Sequence, residues 1–569
     1  MGIPKKTVKG LWKIKLGLNV IGRKQLRLME KASKNCKKAQ KKSLRDVLEW
    51  CKDTVYGKEH NFAEILKAKT PEELFALYAK NVPINQYEAL EPYIERHKNG
   101  ERDILFPGKP KLYCTTSGTT NKPKWLPFTQ KYYDECYSKL STTWIYLLMR
   151  AKPAVYNTPS VSIVGPAIEG AAPDGTLYGS ASGCVRRDLP DMIKVLHTAP
   201  ADVFEIKDYN SRYYTIMRLG IEVDAGLIIT ANPSTLCEMQ TNASMYFDDY
   251  VDDIEHGTLS SKIDVPEDIR KAVAPYIKPN PERAAFLRDL RKKYGNNILP
   301  KHYWPNLQVV NTWKCGNTKV YFDKLKNSFP EDCAMYEFTY LASEARFGLV
   351  LSPDTDATTL FGNKQYFEFI PEEDIELENP RILQLHELQL HKRYCLLLTT
   401  SSGLYRYNMN DLLEVTEFHN QFPGIQFIQK INGIITLTGE KLHEQQFIQA
   451  VNAIEKETKK TLRFFIGFAE AENSAYRFYY EFLDQDTTLE EAKHFTELVD
   501  KKLKEINIEY EAKRDSLRLK DPQTELLGRD AFEHFKAKCI QLGMRDGQFK
   551  LNLLLQDKKR QSLFDELRK

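Results

Sequence analysis

Between about residue 110 and residue 400, short apolar runs alternate with stretches of helical periodicity, and this alternation most narrows what the chain can become. Strands covered on both faces read as short continuous apolar runs, whereas helices place apolar residues three and four apart. The strand candidates are Val161–Val164, Leu227–Ile229, Val309–Val310, Met335–Phe338, Phe367–Ile370 and Leu396–Leu398. Helical patterns occupy 128–150, 189–198, 234–248, 281–293 and 317–328. Strands interleaved with helices predict an α/β fold with a substantial sheet. Strands dominate from 345 to 428, which predicts an antiparallel or barrel-like part. The alternation in Leu385–Leu390 reads as one more strand.

The pattern restarts past Gln429–Gly433. Strands are expected at Ile434–Leu437, Phe464–Phe468 and Tyr476–Phe482, with helices over 444–456, 488–505 and 529–541. The expected organisation is therefore a large α/β domain over 1–428, sheets with helices plus the barrel-like part, and a smaller α+β domain over 429–569. At the other end, residues 1–60 read as basic helix with an apolar stripe at Leu44, Val47, Leu48 and Cys51. Thr70-Pro71-Glu72-Glu73 combines a Thr cap, Pro at the first helical position and Glu at the third, a strong helix start.

Composition excludes several classes of function. With 42% hydrophobic residues over 569, the chain can build a large core, so global disorder is ruled out. Its 82 basic and 77 acidic residues leave a net charge of +5, which is no nucleic-acid signature. The charge is uneven, because residues 1–50 carry fifteen Lys and Arg against three acids. That segment is either a solvated helical face or a basic amphipathic segment touching an anionic membrane from outside. No run of about 18 apolar residues could span a bilayer, and no secretory leader is visible. The ten cysteines show no C-x-x-C spacing, so reduced thiols in a cytoplasm are expected. His386 and His391 lie five apart, which does not put two imidazoles on one helical face, and no structural metal is expected.

One local signal stands out. Between Thr115 and Lys124 lie five hydroxyls, one glycine and two lysines, following the apolar-leaning Lys111–Tyr113. Gly118 can bring backbone N–H groups close to a ligand. Hydroxyls and amides would bind phosphate oxygens while lysine neutralises their charge. The spacing is not that of a P-loop, and an ordinary polar turn has a similar composition.

The stretch Thr116, Ser117, Gly118, Thr119, Thr120 and Lys124 resembles the phosphate loop T-S-S-G-T-S-x-x-x-x-K of adenylate-forming enzymes. The fuller resemblance is to the auxin-responsive acyl-acid amido synthetases, the plant jasmonoyl- and indoleacetyl-amino-acid synthetases and their bacterial relatives. Asn81–Glu88 followed by Pro92–Arg96 is similar to V-P-V-x-x-Y-E…P-Y-I-x-R, and Tyr56–His60 fits the N-terminal helix region. Tyr340–Glu344 resembles Y-x-A-S-E, Gly403–Leu413 resembles G-L-Y-R-Y-x-x-G-D-V, and Thr438–Glu444 carries a similar E-K-x-x-E. Gly547–Lys550 is similar to the late Q-Y/F-K. These motifs run in order from about residue 44 to 550.

The resemblance implies an enzyme that uses ATP and Mg²⁺ to activate a small carboxylic acid as its acyl-AMP and passes the acyl group to an amino acid. It implies that the loop residues hold phosphates and that Tyr340, Ala342 and Ser343 lie along the adenine. It further implies that Glu344 meets Mg²⁺, that Asp411 accepts the ribose hydroxyls and that Arg406 belongs to the nucleotide site. Lys430 would sit at a hinge, with the C-terminal domain as a mobile lid, and Lys430 and Lys550 would act on the phosphates. Neither a nucleic-acid partner nor a transmembrane segment is implied, and a monomer is expected. Asn410 stands where the family has glycine, and Leu551-Asn552 where it has Pro-Arg. Two alternatives share these motifs: a ligase with a thiol acceptor such as coenzyme A, and a non-catalytic nucleotide- or acid-binding relative. On residue type alone, Glu344 also fits a surface ion pair, Asp411 a turn, and Lys430 and Lys550 solvated lysines. The aromatic stretch 129–150, with Tyr132, Tyr133, Trp144, Tyr146 and Leu147, serves equally as an acid-pocket wall or as core. Tyr366–Pro371 and Trp304-Pro305 are read as structural, and Asn232–Thr235 as a helix start.

Overall fold

The computed structural model describes residues 11–569 apart from 117–123, 316–321, 323–324, 376, 432–433, 436, 439, 441 and 542–551. Ser117, Gly118, Thr119, Thr120, Lys550 and much of the expected 317–328 helix therefore lie outside the described residues. The chain divides into two compact units, Met1–Met409 with Leu413–Phe427, and Ile428–Lys569 with Asn410–Leu412.

Five helices of the first unit matter below: α1 (Leu11–Ser33), α2 (Cys36–Cys51), α3 (Pro71–Asn81), α4 (Tyr87–Lys98) and α5 (Ser138–Ala151). The basic N-terminal run breaks before α2, where the Asn35 side chain accepts the Lys38 N–H. At α3 the Thr70 hydroxyl accepts the Glu73 N–H with Pro71 at the first position, as the sequence predicts.

The strands are β1 (Leu112–Thr116), β2 (Lys124–Phe128), β3 (Ser160–Ser162), β4 (Gly170–Ala171), β5 (Leu177–Gly179), β6 (Leu227–Ile229), β7 (Val309–Thr312) and β8 (Ala334–Glu337). They continue as β9 (Gly348–Leu349), β10 (Thr358–Leu360), β11 (Tyr366–Pro371), β12 (Leu383–Gln384), β13 (Arg393–Thr399), β14 (Tyr407–His419) and β15 (Phe422–Lys430). One sheet has the order β3-β6-β7-β8 and is parallel throughout. Its central strands β6 and β7 are wholly buried, which is why they read as unbroken apolar runs. A second sheet runs β2-β1-β5-β4, and a third runs β12-β11-β13-β14-β15-β10-β9. The strand-rich region 345–428 is thus the seven-stranded sheet, which is open in order from β12 to β9.

Three local expectations differ from the structure. Leu385–Glu387 is a 3-10 turn, not a strand, because the Glu387 carboxylate accepts the Gln384 N–H and closes the chain on itself. Only Asp191–Lys194 of 189–198 is helical, because Leu196 and Thr198 exchange backbone hydrogen bonds with Ser160 at the edge of β3. The 234–248 helix is two helices, Ser234–Met245 and Phe247–His256.

The second unit pairs β16 (Ile434–Ile435) with β17 (Leu442–His443). Its main sheet joins β18 (Leu462–Glu470), β19 (Ala475–Phe482), β20 (Gln523–Leu526) and β21 (Leu554–Leu555) in the order β20-β19-β18-β21. Helices Glu444–Thr458 and Leu489–Ile506 bury Phe447, Val451, Phe495 and Val499 in one core with Phe465, Phe478 and Tyr480. Among the described residues no helix is long and apolar enough to cross a membrane.

Candidate functional site

The Ser/Thr-rich segment joins the two strands of an antiparallel hairpin, whose register sets Thr116 opposite Lys124. A hairpin root this well defined needs an anchor, and Tyr87 at the start of α4 supplies it. The Tyr87 hydroxyl accepts the Trp125 N–H at 2.8 Å, and the Lys124 ammonium lies 5.4 Å from the Tyr87 ring centre. A cation over an aromatic face is held without losing its charge. Burial pushes the Tyr87 phenol up to about 12, so it stays neutral. At the far end of β2, the Thr129 N–H donates to the Ser402 hydroxyl at 3.2 Å and the Thr129 hydroxyl to Ser401 O at 3.1 Å, which fixes the hairpin to the turn before Gly403.

That turn sits on a node built from three separated motifs. The Asn85 amide donates to Tyr405 O at 2.7 Å and to the Tyr56 hydroxyl at 2.9 Å, while its backbone bonds Arg406 O and the Asn408 N–H. Tyr56 stacks on Tyr405 at 4.6 Å. Gly403 has φ +84°, and a Cβ there would meet Leu105 at 2.8 Å, so the turn requires glycine.

Arg406 lies behind the Gly403 turn. Its side chain points into the protein, where Nε meets Glu368 at 2.9 Å with the two side chains 5% and 1% exposed. Nη1 donates to Val82 O and Ala79 O at the end of α3. The guanidinium is spent on a buried ion pair and a helix terminus, and Glu368 comes from the stretch read as a structural strand.

Tyr340–Glu344 follows the carboxyl end of β8, where open α/β sheets bind ligands. Leu341 pairs with Arg346, and the Ala342 N–H bonds Ala345 O at 3.0 Å, so Ala342–Ala345 is a tight turn with Glu344 half-buried on it. Tyr340 stacks on Phe347 at 4.2 Å, offering a flat aromatic surface beside the turn. Thr339 just before it is fully buried with φ +88°. A β-branched residue in that region is strained by about 1–3 kcal/mol, and such strain collects at functional sites. It is held by bonds from its hydroxyl to Gly348 O at 3.0 Å and from the Trp313 indole to its carbonyl at 3.1 Å. Glu337, the last residue of β8, is 4% exposed, and burial pushes its carboxyl up to about 7.

Two residues beyond Glu344 lies a side chain that pattern reading passed over. Arg346 is 4% exposed, and burial lowers its pKa. Its Nη1 donates to the Ser141 hydroxyl at 3.0 Å, and the guanidinium lies 5.2 Å from the Trp144 ring. Nε and Nη2 of Arg346 and Nε1 of Trp144 are buried with no hydrogen-bond partner among the described residues. Each such donor ordinarily costs about 1–3 kcal/mol, so three together call for a reason. Of the aromatic stretch, Tyr132 accepts the Arg346 N–H at 2.9 Å, whereas Tyr146 and Leu147 are core.

In the second unit, Asp411 is 3% exposed and forms an ion pair with Lys430, whose side chain is 45% exposed. Asn410 has φ +52°, a left-handed conformation that asparagine tolerates, so it serves here in place of glycine. Of the proposed residues, Thr116, Lys124, Tyr340, Ala342, Ser343, Glu344 and Arg406 belong to the first unit, and Asp411 with Lys430 to the second.

Comparison with known proteins places the chain in a family. The GH3 family N-terminal domain matches residues 25–334, the GH3 family central domain 358–430, and the GH3 family C-terminal domain 445–559. The chain belongs to the GH3 family. It is 28% identical over 457 residues to indole-3-acetic acid-amido synthetase GH3.3 of Arabidopsis thaliana, covering 75% of this chain and 73% of that protein. It is 26% identical over 444 residues to jasmonoyl–L-amino acid synthetase JAR4 of Nicotiana attenuata, covering 75% of each. In fold it is similar to GH3.15 acyl acid amido synthetase, with a TM-score of 0.82 at 19% identity over 96% of both chains. A more distant likeness is to 2-hydroxyisobutyryl-CoA ligase in its postadenylation state, with a TM-score of 0.52 at 11% identity over 93% of this chain and 91% of that one. This GH3 chain therefore has the two-domain adenylate-forming fold. Tyr87 and Asn85, which carry its V-P-I-N-Q-Y-E motif, act as supports for the hairpin and the Gly403 turn.

Proposed function

We propose that this GH3 protein is an acyl-acid amido synthetase. A carboxylate oxygen of the acid attacks the α-phosphorus of ATP, the bond to the β-phosphate breaks, and pyrophosphate leaves. The amine of an amino acid then attacks the acyl carbonyl, AMP leaves, and the amine gives up a proton. The observation that carries the reading is the phosphate-loop hairpin, braced by Tyr87, within a chain matched along most of its length by three successive GH3 domains. Catalysis in such a site comes from positioning and charge neutralisation.

The assignments follow the two sets of residues. Thr116, Ser117, Gly118, Thr119, Thr120 and Lys124 serve the phosphates, with Tyr340, Ala342 and Ser343 along the base. Asp411 serves the ribose, with Lys430 or Lys550 on the phosphates, and the C-terminal domain closes as a lid from a hinge near 429–433. Arg406 supports the site without touching the nucleotide. Glu344 fits Mg²⁺, which usually takes one or two carboxylates plus phosphate oxygens and water. Among the described residues no cluster of three or more His, Cys, Asp or Glu could hold a metal without the nucleotide. When bound, Mg²⁺ neutralises phosphate charge. Arg346 and Trp144, with three unused donors between them, receive an oxygen of the acid. A cytoplasmic setting accords with the free thiols of nine of the ten cysteines.

The test is acid-dependent ATP–pyrophosphate exchange over a panel of aromatic and fatty acids, followed by acceptor competition between amino acids and coenzyme A. Exchange with amide product is expected. No exchange with any acid would leave a binding protein, and thioester in place of amide would make it a thiol ligase.

A further inference from the structure

Helix α1 has two working faces, and the fold uses one of them. Ile14, Leu18, Gly22, Gln25 and Met29 are buried, with Ile14 and Leu18 in one core with Tyr146 and Met149 of α5. A Cβ at Gly22 would fall 2.3 Å from the Tyr146 ring, so glycine permits the close approach. The Lys15 ammonium donates to Pro153 O and Asn157 Oδ1, both at 3.0 Å, and Glu30 is bound by His419 and Asn420. The rotation of the helix on the body is therefore fixed.

The opposite face is turned outward. Trp12, Leu16 and Val20 recur at four-residue spacing and are 67%, 59% and 63% exposed, with Ile21 and Leu28 each 45% exposed beside them. These are five of the fifteen exposed large apolar side chains among the described residues, gathered on one helix. Scattered exposed hydrophobics need no explanation, but a contiguous set does. On the same outward face Lys13, Arg23, Lys24, Arg27 and Lys31 are exposed. Glu30 is the helix's single acid and is already engaged. The outer face thus combines a tryptophan-led apolar stripe with five cations, and the helix's one carboxylate, Glu30, is already paired with His419.

We propose that α1 seats the protein on an anionic membrane surface. A helix lying in the interface buries its apolar face at the acyl boundary while long Lys and Arg stems reach the headgroups. Charge decides the occupant. Five cations facing a second copy of themselves would repel, whereas phosphate headgroups complement all five. The lipid contact lies outside the catalytic assignment and does not depend on it.

The test uses the full chain and co-sedimentation with vesicles of phosphatidylcholine alone and of phosphatidylcholine with phosphatidylglycerol. Binding to the second and not the first is expected, with loss as salt is added, because the attraction is screened. Leu16→Glu with Val20→Glu should weaken binding by about tenfold or more while leaving the urea midpoint unchanged. A second variant, Arg23→Gln with Arg27→Gln, should weaken anionic-vesicle binding without altering the fold. Absent binding, equal binding to both vesicles, or a Leu16→Glu variant that binds like the natural chain would overturn the proposal. So would a concentration-dependent dimer dissolved by Leu16→Glu, which would give the face to a second copy.

Discussion

Arg406→Met tests how the node behind the Gly403 turn is held together. The guanidinium and Glu368 are 2.9 Å apart and 5% and 1% exposed. Removing one partner of a buried pair strands the other and costs about 3–5 kcal/mol. Val82 O and Ala79 O also lose a donor, but water can reach part of a helix end, so about 5 kcal/mol is the reasonable total. Whole domains are stable by only about 5–15 kcal/mol, so the urea midpoint should drop severely. Adding Glu368→Leu removes the stranded carboxylate and should restore most of the loss. ATP affinity, measured by calorimetry on the double variant, should then stay within about threefold of the natural chain, less than 1 kcal/mol. Restored stability with affinity down about tenfold or more would show that Arg406 reaches the nucleotide after all. A single-variant loss under about 1 kcal/mol would refute the energetic argument itself.

Three further outcomes follow from the site. Tyr87→Phe removes the acceptor of the Trp125 N–H and should raise KM for ATP several-fold, with the KM for the acid unchanged; steady-state kinetics in each substrate would separate the two. Arg346→Met should raise KM for the acid by about tenfold or more without lowering the urea midpoint, since a buried cation is removed along with its unused donors; an unchanged acid KM would return Arg346 to the core. Glu337 has a folded pKa raised from 4.5 to about 7, so its proton favours the folded state below about pH 4.5 and that advantage drains away as pH climbs through about 7. The shift corresponds to about 3 kcal/mol, so Glu337→Gln should flatten the stability curve over that window, and parallel urea midpoints in the two proteins would contradict it.

Local pattern reached far into this fold. The Thr70 cap, the buried runs of β6 and β7 and the helices of the second unit announce themselves within a dozen residues. What escaped depends on partners distant in sequence. Residues 189–198 look helical until Ser160 claims Leu196 and Thr198. Nothing near Arg406 in the sequence says that Glu368, 38 positions earlier, is its ion-pair partner. The Ser/Thr-rich loop stands out by its composition, but nothing local says that it joins a hairpin or that Tyr87 braces that hairpin. Arg346 escapes because an arginine just after a tight turn carries no periodic signal; its position two residues past Glu344 is the available clue. Asp411 and Lys430 were each singled out, but a contact between residues 19 apart on different strands has no one-dimensional signature.

The first unit closes by tying its beginning to its end. Gln40 bonds Gly362 and Gln365, Tyr78 bonds Thr399, and Asn85 bonds Tyr405, each across more than 300 positions. At roughly 5–20 residues per second, a ribosome needs about 15–60 s to deliver those partners after Asn85 has been made. Throughout that interval the early helices carry apolar faces and amide groups with nothing to receive them. Nascent chains stopped short of residue 400 should therefore engage chaperones, and any fragment cut between the two ends loses both.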